Sequence, residues 1–482
     1  MRLRYQRSLP VLLVLGLVIG CSEDPVTEPD GSAEVLSATA TESPYNALSA
    51  VVSFAVAEAE SARVVYAPRA TEEIAATPFL PVADGTGEIP VVGLRPGLLY
   101  RFVVEVVGHG SVARSDTVEF RAGSLPAPLD KLGIQVTGNT EGYGFTGVNL
   151  DGQGYLVAFD GAGEIRWYRA PEGYRGGHAE PLPNGNFIAY VGTSRGWEPA
   201  YGYYVEIRPD GESIRQHHAP VPLYLDPHEF LLTDFEDGEP NVHLFTYSLR
   251  RRDLSSLGGP ADALVAGHQI VRMQGTEVRY LWNAWDHFEI EDWIEEPRPG
   301  PDSSPADFDH PNSLDIDLDG NYIASFRNMA EITKIDSHTG GIIWRLGGAN
   351  NQFQIVGDLP EMFNGQHSVC VLEDGNLLVY DNGGRHTPPV TRILEYEIDE
   401  DAMIATLVGE FRHPQGIYTG FRGSVQRLKN GHTVIGYSSA GRITELDEAG
   451  AIVWEALLTH GNREAGFYRA LKMESLYGVG GS

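Results

Sequence analysis

The chain has 482 residues, of which 56 are Gly, 30 Pro and 22 Tyr, so it is too long for one ordinary core and too rich in turn formers and aromatics for a helical or disordered protein. Lys and Arg number 35 against 66 Asp and Glu, and the net charge of −31 repels phosphate backbones and excludes nucleic acid as a partner. An anionic small substrate would meet the same repulsion, so an anion site has to be made locally, from a few Arg and His in a low-dielectric pocket.

Arg2, Arg4 and Arg7 precede an apolar run from Leu9 to Gly20 that is too short to span a bilayer and has the form of a signal peptide over residues 1–20. Val18-Ile19-Gly20-Cys21 has the form of a bacterial lipobox, with Cys21 acylated as the mature N-terminus. Ser22 is not the Asp that marks retention at the inner membrane, so an exported lipoprotein of the outer membrane is expected, on its periplasmic or its surface face. Cys370 is the only other cysteine; it lies in an apolar alternation, Val369-Cys370-Val371, and is expected to be a buried, inert thiol with no disulfide partner. Residues 21–37 are mostly Ser, Glu, Asp, Pro and Thr, which cannot bury enough apolar surface to fold, and are expected to form a disordered tether.

Residues 38–126 read as short alternating strands between Gly/Pro turns, such as Ala50-Val51-Val52-Ser53-Phe54 and Arg101-Phe102-Val103-Val104-Glu105-Val106, hence a small β-sandwich. Leu94-Arg95-Pro96-Gly97 followed by Tyr100 resembles the tyrosine corner of fibronectin type III domains. From residue 130 to 482 a repeat takes over: a Gly turn, a short strand and often Trp. Its copies are Gly163 to Trp167, Gly211 to Arg215, Gly275 to Trp282, Gly340 to Trp344 and Gly450 to Trp454, and a degenerate copy near Tyr396–Val408 fills the double interval before the last. Upstream of these, Asn184-Gly185-Asn186, Asp319-Gly320-Asn321, Asp374-Gly375-Asn376 and Asn430-Gly431-His432 mark hairpins expected to turn through the primed types. The fold class expected is all-β, a six-bladed β-propeller preceded by a small β-sandwich.

His178, His228, His310 and His367 each stand just before the hairpin strand of successive units, and equivalent positions in a radial repeat converge on its axis. Asn312 shares the strand face of His310, and Arg327, in Ala324-Ser325-Phe326-Arg327-Asn328, is read as a strand guanidinium facing the channel, a donor fork suited to a sulfate or phosphate head. No HExxH or CxxC accompanies the histidines, so no metal is expected, although a ring of imidazoles leaves a metal-dependent hydrolase or lyase open. A binding scaffold without catalysis is also open.

Asp309-His310-Pro311-Asn312-Ser313, Ser325-Phe326-Arg327-Asn328, Trp344-Arg345-Leu346-Gly347-Gly348, Gln366-His367-Ser368, Tyr380-Asp381-Asn382-Gly383, Gly423-Ser424-Val425-Gln426-Arg427-Leu428 and Phe467-Tyr468-Arg469-Ala470 together resemble the bacterial aryl-sulfate sulfotransferase family over about residues 130–475. The resemblance implies a six-bladed propeller that needs no cofactor and no nucleotide sulfate donor. It would carry a sulfuryl group from a phenolic sulfate to a phenol through a sulfohistidine. It makes His367 the nucleophile, with His228, His310, Asn312 and Arg327 as the supporting catalytic site and Arg327 and Asn312 as substrate contacts; His178 has no family counterpart and is expected as a substrate contact from its place in the repeat. Asp286-His287 resembles a family pair of unassigned role. A neutral nucleophile and a protonated acid imply a bell-shaped pH dependence. The expected partners are the two phenolic substrates and a membrane reached through Cys21, with a homodimer allowed. The chain departs from the enteric members in lacking a disulfide near the site and in its N-terminal domain and anchor.

Overall fold

In the computed structural model the described residues are 32–71, 73–150, 152–174, 177–192, 202–236, 239–294, 305–358 and 362–477. The expected signal peptide, Cys21 and most of the tether lie outside them.

The N-terminal unit is a sandwich of two antiparallel sheets. One contains Glu34–Glu42, Ala50–Ala57 and Thr86–Val91; the other is built on Ser61–Pro68 and Leu99–Gly108, flanked by Ala75–Ala76, Leu80–Pro81, Ser111–Arg114 and Val118–Arg121. Ala50, Val52, Phe54 and Val56 alternate inward, as a strand with one wet face requires. Phe102 is fully buried and stacks on Phe120 at 5.5 Å, a burial that stabilises by roughly 1.5–3 kcal/mol. The backbone N–H of Arg95 donates to the Tyr100 hydroxyl at 2.9 Å, the bond of a tyrosine corner. The tether is shorter than expected, because its last residues from Glu34 onward already pair with Ala50–Ala57. An edge strand is held by backbone bonds, so a polar sequence with few apolar residues suffices for it.

The rest of the chain is a β-propeller. Among the described residues, six sheets follow one another, here labelled I to VI, antiparallel except where the short strands Ala306–Asp307 and Gln354–Val356 add in parallel to sheets III and V. Their innermost strands are Phe467–Met473, Ala179–Pro181, Tyr224–Glu236, Pro311–Ile316, His367–Val371 and Ser424–Arg427. Sheet I is completed by Phe145–Leu150, which pairs with the C-terminal Phe467–Met473, while Leu132–Gly138 adds an outer strand to Ile452–His460 of sheet VI, so both ends of the ring are stitched shut. Polar side chains on the inner strands bind the backbone of the next: Ser313 Oγ accepts from Val369 N at 3.0 Å, Ser368 Oγ from Val425 N at 3.2 Å, and Ser424 Oγ from Ala470 N at 2.9 Å. These bonds satisfy groups that a barrel-like centre would otherwise leave buried and unpaired.

The repeated Trp closes sheet against sheet. Trp167 Nε1 donates to Pro209 O at 2.8 Å, Trp344 Nε1 to Glu400 Oε1 at 2.9 Å, and Trp454 Nε1 to Gly161 O at 2.9 Å, in each case reaching the outer turn of the following sheet. The Asn-Gly and Asp-Gly hairpins differ from the primed turns expected. Asn184, Asp319, Asp374 and Asn430 keep negative φ, while Gly185, Gly320, Gly375 and Gly431 lie near +81° to +87°. Gly185 N donates to Leu182 O at 3.0 Å and Leu182 N to Asn186 O at 2.7 Å. This is a three-residue loop, a type I turn followed by a left-handed Gly, and one residue more than the two-residue reading allows.

The sandwich is bound to sheet I. Asn46 Nδ2 donates to Tyr168 O and Ala47 N to Tyr168 Oη, both at 3.0 Å, and Arg166 Nε donates to Gly93 O at 2.7 Å. Leu48 and Val92 are buried in the same seam.

Candidate functional site

One end of the ring collects the residues that open the inner strands: His178 in sheet II, His228 in III, His310 in IV, His367 in V, Arg422 ahead of VI and Tyr468 in I. The His228 and His310 rings are 4.7 Å apart, and His228 lies 6.3 Å from the Tyr468 ring.

His367 is 5% exposed and its tautomer follows from its neighbours. Nδ1 faces two acceptors, Asn382 Oδ1 at 2.7 Å and Gly365 O at 3.0 Å, so it carries the proton. Asn382 cannot turn its amide to the ring, because Nδ2 donates to Thr419 O at 2.7 Å and to Arg422 O at 2.9 Å. Nε2 therefore keeps its lone pair, which accepts the Arg422 N–H at 3.1 Å. Burial first, and then the Arg327 guanidinium with His310 and His228, hold the His367 pKa well below the ordinary histidine value even though the Asn382 bond opposes them. The ring is a neutral base beside the Arg327 guanidinium and two further imidazoles.

Carboxylates stand behind the other two histidines. Asp226 Oδ1 takes His228 Nδ1 at 2.8 Å and His228 N at 2.9 Å, and Asp307 takes His310 Nδ1. Each bond commits Nδ1 and leaves Nε2 as the ring nitrogen open to chemistry. His268 joins the two pairs from the third strand of sheet III, Ala263–Gln274. Its Nδ1 bonds Asp309, its Nε2 lies 3.5 Å from Asp226 Oδ2, and Asp309 Oδ1 also accepts His310 N at 3.0 Å. Burial pulls the His268 pKa down, but Asp309 and Asp226 outweigh it and push it up to about 10, so this 2% exposed ring is an imidazolium. Burial likewise raises Asp226, yet His228 and His268 hold it well below the usual carboxylate range. His310 has a φ of +47°, a left-handed conformation that a β-carbon resists and that the surrounding bonds must hold.

Arg327 opens the 3₁₀ turn Arg327–Met329 and is not in the strand expected for it; the strand ends at Phe326 because Arg327 N turns back to His310 O at 3.0 Å. Half-buried, it acts electrostatically on His367. Asn312 is placed differently from its expected role as a substrate contact. Its Nδ2 donates to Gln366 O at 2.7 Å, while Gln366 Nε2 donates to Ser325 Oγ, Phe326 O and Glu331 O at 3.1 to 3.2 Å. The pair grips the peptide before the nucleophile.

His178 does not meet its expectation as a substrate contact either, for it is wholly buried at 0% exposure, 3.5 Å from Glu229 and 3.7 Å from Glu180. Burial pushes its pKa down to about 3, and it stays neutral. Arg469 fills the space nearby, with Nη1 and Nη2 on Glu229 at 3.0 and 2.7 Å and Nη2 on Asn312 O at 3.1 Å. His287 stacks on Trp282 at 5.1 Å as part of the packing of sheet III. Burial raises the Cys370 thiol to about 12, in keeping with an inert residue.

The two groups with metal-like spacing are His178 with Glu180 and Glu229, and His268 with Asp307 and Asp309. Glu229 has both oxygens on Arg469, Asp309 is held by His268 and Asp307 by His310, so protein groups already occupy these donor sets. The remaining arrangement is a neutral imidazole nitrogen flanked by a guanidinium and two carboxylate-backed imidazoles, suited to attack on an anionic centre. His268, Asp226, Asp307 and Arg422 escaped the sequence reading, and Asp309, Asn382 and Arg469 entered it only as motif residues without a role. A polar pair, His268-Gln269, inside the apolar run Val265–Val271 was the one available signal for the first of them.

The family model described as Arylsulfotransferase (ASST) matches residues 178–459. No curated protein matches the chain. Among solved structures, a protein of unknown function from Bacteroides caccae is 15% identical, covers 69% of this chain and 100% of its own, and has a TM-score of 0.42. A catalytically inactive virginiamycin B lyase from Staphylococcus aureus with quinupristin is 12% identical over 67% of this chain and 87% of its own, at 0.34. A protein of unknown function from Bacteroides thetaiotaomicron is 12% identical over 90% and 99%, at 0.32.

Proposed function

This chain belongs to the arylsulfotransferase family, whose members move a sulfuryl group from a phenolic sulfate to a phenol, and we propose that here the group travels through Nε2 of His367. The Nε2 lone pair forms the N–S bond as the S–O bond to the aryl group breaks. The departing phenolate keeps that electron pair and takes a proton from Nε2–H of His228 or His310. Arg327 faces the sulfuryl oxygens, where charge spread over equatorial positions makes electrostatic stabilisation the main lever. The proton on Nδ1, held by Asn382 and Gly365, stabilises the sulfated ring, and Arg422 N gives up Nε2 when sulfur arrives. A phenol then returns its proton to the same histidine and attacks sulfur, restoring His367.

Asn312 and His268 are positioning residues in this scheme: the first grips the Gln366 peptide, the second Asp226 behind His228 and Asp309, which accepts the His310 N–H. The observation that carries the proposal is the tautomer of His367, with Nδ1 between two acceptors and Nε2 unprotonated. Because its pKa is depressed, the acid limb of the expected bell moves below the ordinary histidine range.

Peptide mass spectrometry after brief incubation with 4-nitrophenyl sulfate at mildly alkaline pH tests the intermediate. A sulfated peptide containing His367, discharged by added phenol, is expected; label on another peptide, or none alongside full turnover, contradicts it. We also propose that Cys21 carries a lipid that tethers the enzyme to the outer membrane. The Cys21→Ser variant is then expected in the soluble fraction, and its continued co-sedimentation with membranes would refute the anchor.

A further inference from the structure

At the opposite end of the ring, between the hairpins of sheets III and IV, lies a cavity of about 510 Å³ lined by Leu232, Thr233, His243, Arg272, Ile316 and Tyr322 among others. Its inner wall begins at the Asp317–Asn321 hairpin, about 20 Å along the strand from His310 at ~3.3 Å per residue. The size is that of a small-molecule site.

Arg272 is the unusual group. It is half-buried, it lies over the Tyr280 ring at 5.8 Å, and among the described residues it has neither a hydrogen bond nor an ion pair. Three other arginines withdrawn from water hold carboxylates, Arg345 on Glu331, Arg392 on Asp358 and Arg469 on Glu229, each at 2.7 Å, and half-buried Arg169 holds two backbone carbonyls. In a chain with a net charge of −31, a guanidinium partly withdrawn from water with no acceptor of either kind among the described residues is suited to an external anion, since desolvating a charge is costly unless something pairs it.

A second group points the same way. His243 Nδ1 is 2.9 Å from the Tyr322 hydroxyl and Nε2 is 2.8 Å from Thr233 Oγ1. Burial and then Arg272 push its pKa down to about 4, so the ring is neutral and has one N–H and one lone pair. One hydroxyl must therefore donate to the ring and the other must accept from it. The accepting hydroxyl keeps its own hydrogen for a ligand, so the cavity offers an O–H donor beside the guanidinium. Leu232, Ile316 and the Tyr322 ring supply an apolar wall, and no carboxylate lines the cavity among the described residues.

We propose that this cavity is a second binding site, separate from the His367 chemistry, for an aromatic oxyanion whose sulfate or carboxylate head sits on Arg272 and whose ring packs on the apolar wall. The probe is 4-nitrobenzoate, which has the aryl oxyanion but no sulfuryl group to transfer, so the result does not depend on the reaction assigned to His367. Isothermal titration of the full chain is expected to show a site that weakens at least tenfold in Arg272→Gln, survives in Arg327→Ala and is not filled by neutral nitrobenzene. Turnover of 4-nitrophenyl sulfate by Arg272→Gln is expected to stay normal at saturation. Unchanged nitrobenzoate affinity in Arg272→Gln, or equal binding of nitrobenzene, overturns the proposal. Should that variant not fold, the wild type decides: nitrobenzoate raises its melting temperature saturably and nitrobenzene does not, whereas no shift refutes the site.

Discussion

The two ends of the inner strands are built on opposite plans. At the hairpin end the sheets resemble one another: Gly185, Gly320, Gly375 and Gly431 occupy the same left-handed conformation, each after a polar residue with negative φ. At the histidine end a histidine opens four of the inner strands, and left-handed conformations fall on His310, Ser368 and Arg422, where a β-carbon makes them strained. Relaxed glycine turns recur at one end, and strained non-glycine residues gather at the other.

Substitutions at the two ends should therefore separate activity from stability. The largest effect is expected at Arg327→Ala, which should lose roughly 10²-fold or more in turnover, the scale of one lost donor to transition-state charge, with little change in melting temperature. Near-normal turnover would remove Arg327 from the site.

His268→Gln lies between the two classes. We expect about a tenfold loss in kcat with KM nearly unchanged, because the ring bonds Asp309, which holds the His310 backbone, lies beside Asp226 behind His228, and otherwise packs on Tyr247. It also leaves a mark that a substrate contact would not. With its folded pKa raised from 6.5 to about 10, the stability His268 contributes is fully present below about pH 6.5 and is lost as pH rises through about 10. The wild-type melting temperature should decline across that window more steeply than that of the variant, and parallel curves would show that the imidazolium is not there.

The smallest effect belongs to the hairpin end. Gly375→Ala, at φ +87°, should cost about 1 kcal/mol in denaturant unfolding and leave kcat unchanged. A loss of activity there would blur the distinction between the ends.

The same contrast explains what was legible in the sequence. Trp167, Trp344 and Trp454 stand at a fixed place in their repeats because each reaches the turn of the next sheet, so reading the repeat was reading the contact between sheets. His228, His310 and His367 were legible as a cluster for the same reason, since they occupy one place in that repeat and the fold brings them together. Asn382 and His268 act through bonds between different strands, which no local pattern encodes, whereas Asp226 stands two residues before His228 on the same strand and was within reach of a local reading. His178 shows the converse: the repeated position was read correctly as facing the axis, but Glu229 and Arg469 close over it. The hairpin turns were misassigned by one residue because Asn-Gly suits both the primed turn and the type I turn with a left-handed Gly.

The central claim is that His367 Nε2 accepts the sulfuryl group before any phenol arrives. Rapid-quench mixing of the enzyme with 4-nitrophenyl sulfate and no acceptor reads this directly. The account predicts a burst of about one nitrophenol per active site, then a stall that phenol relieves, with no burst in His367→Ala. Release of nitrophenol only when phenol is present, or an equal burst in His367→Ala, would contradict it.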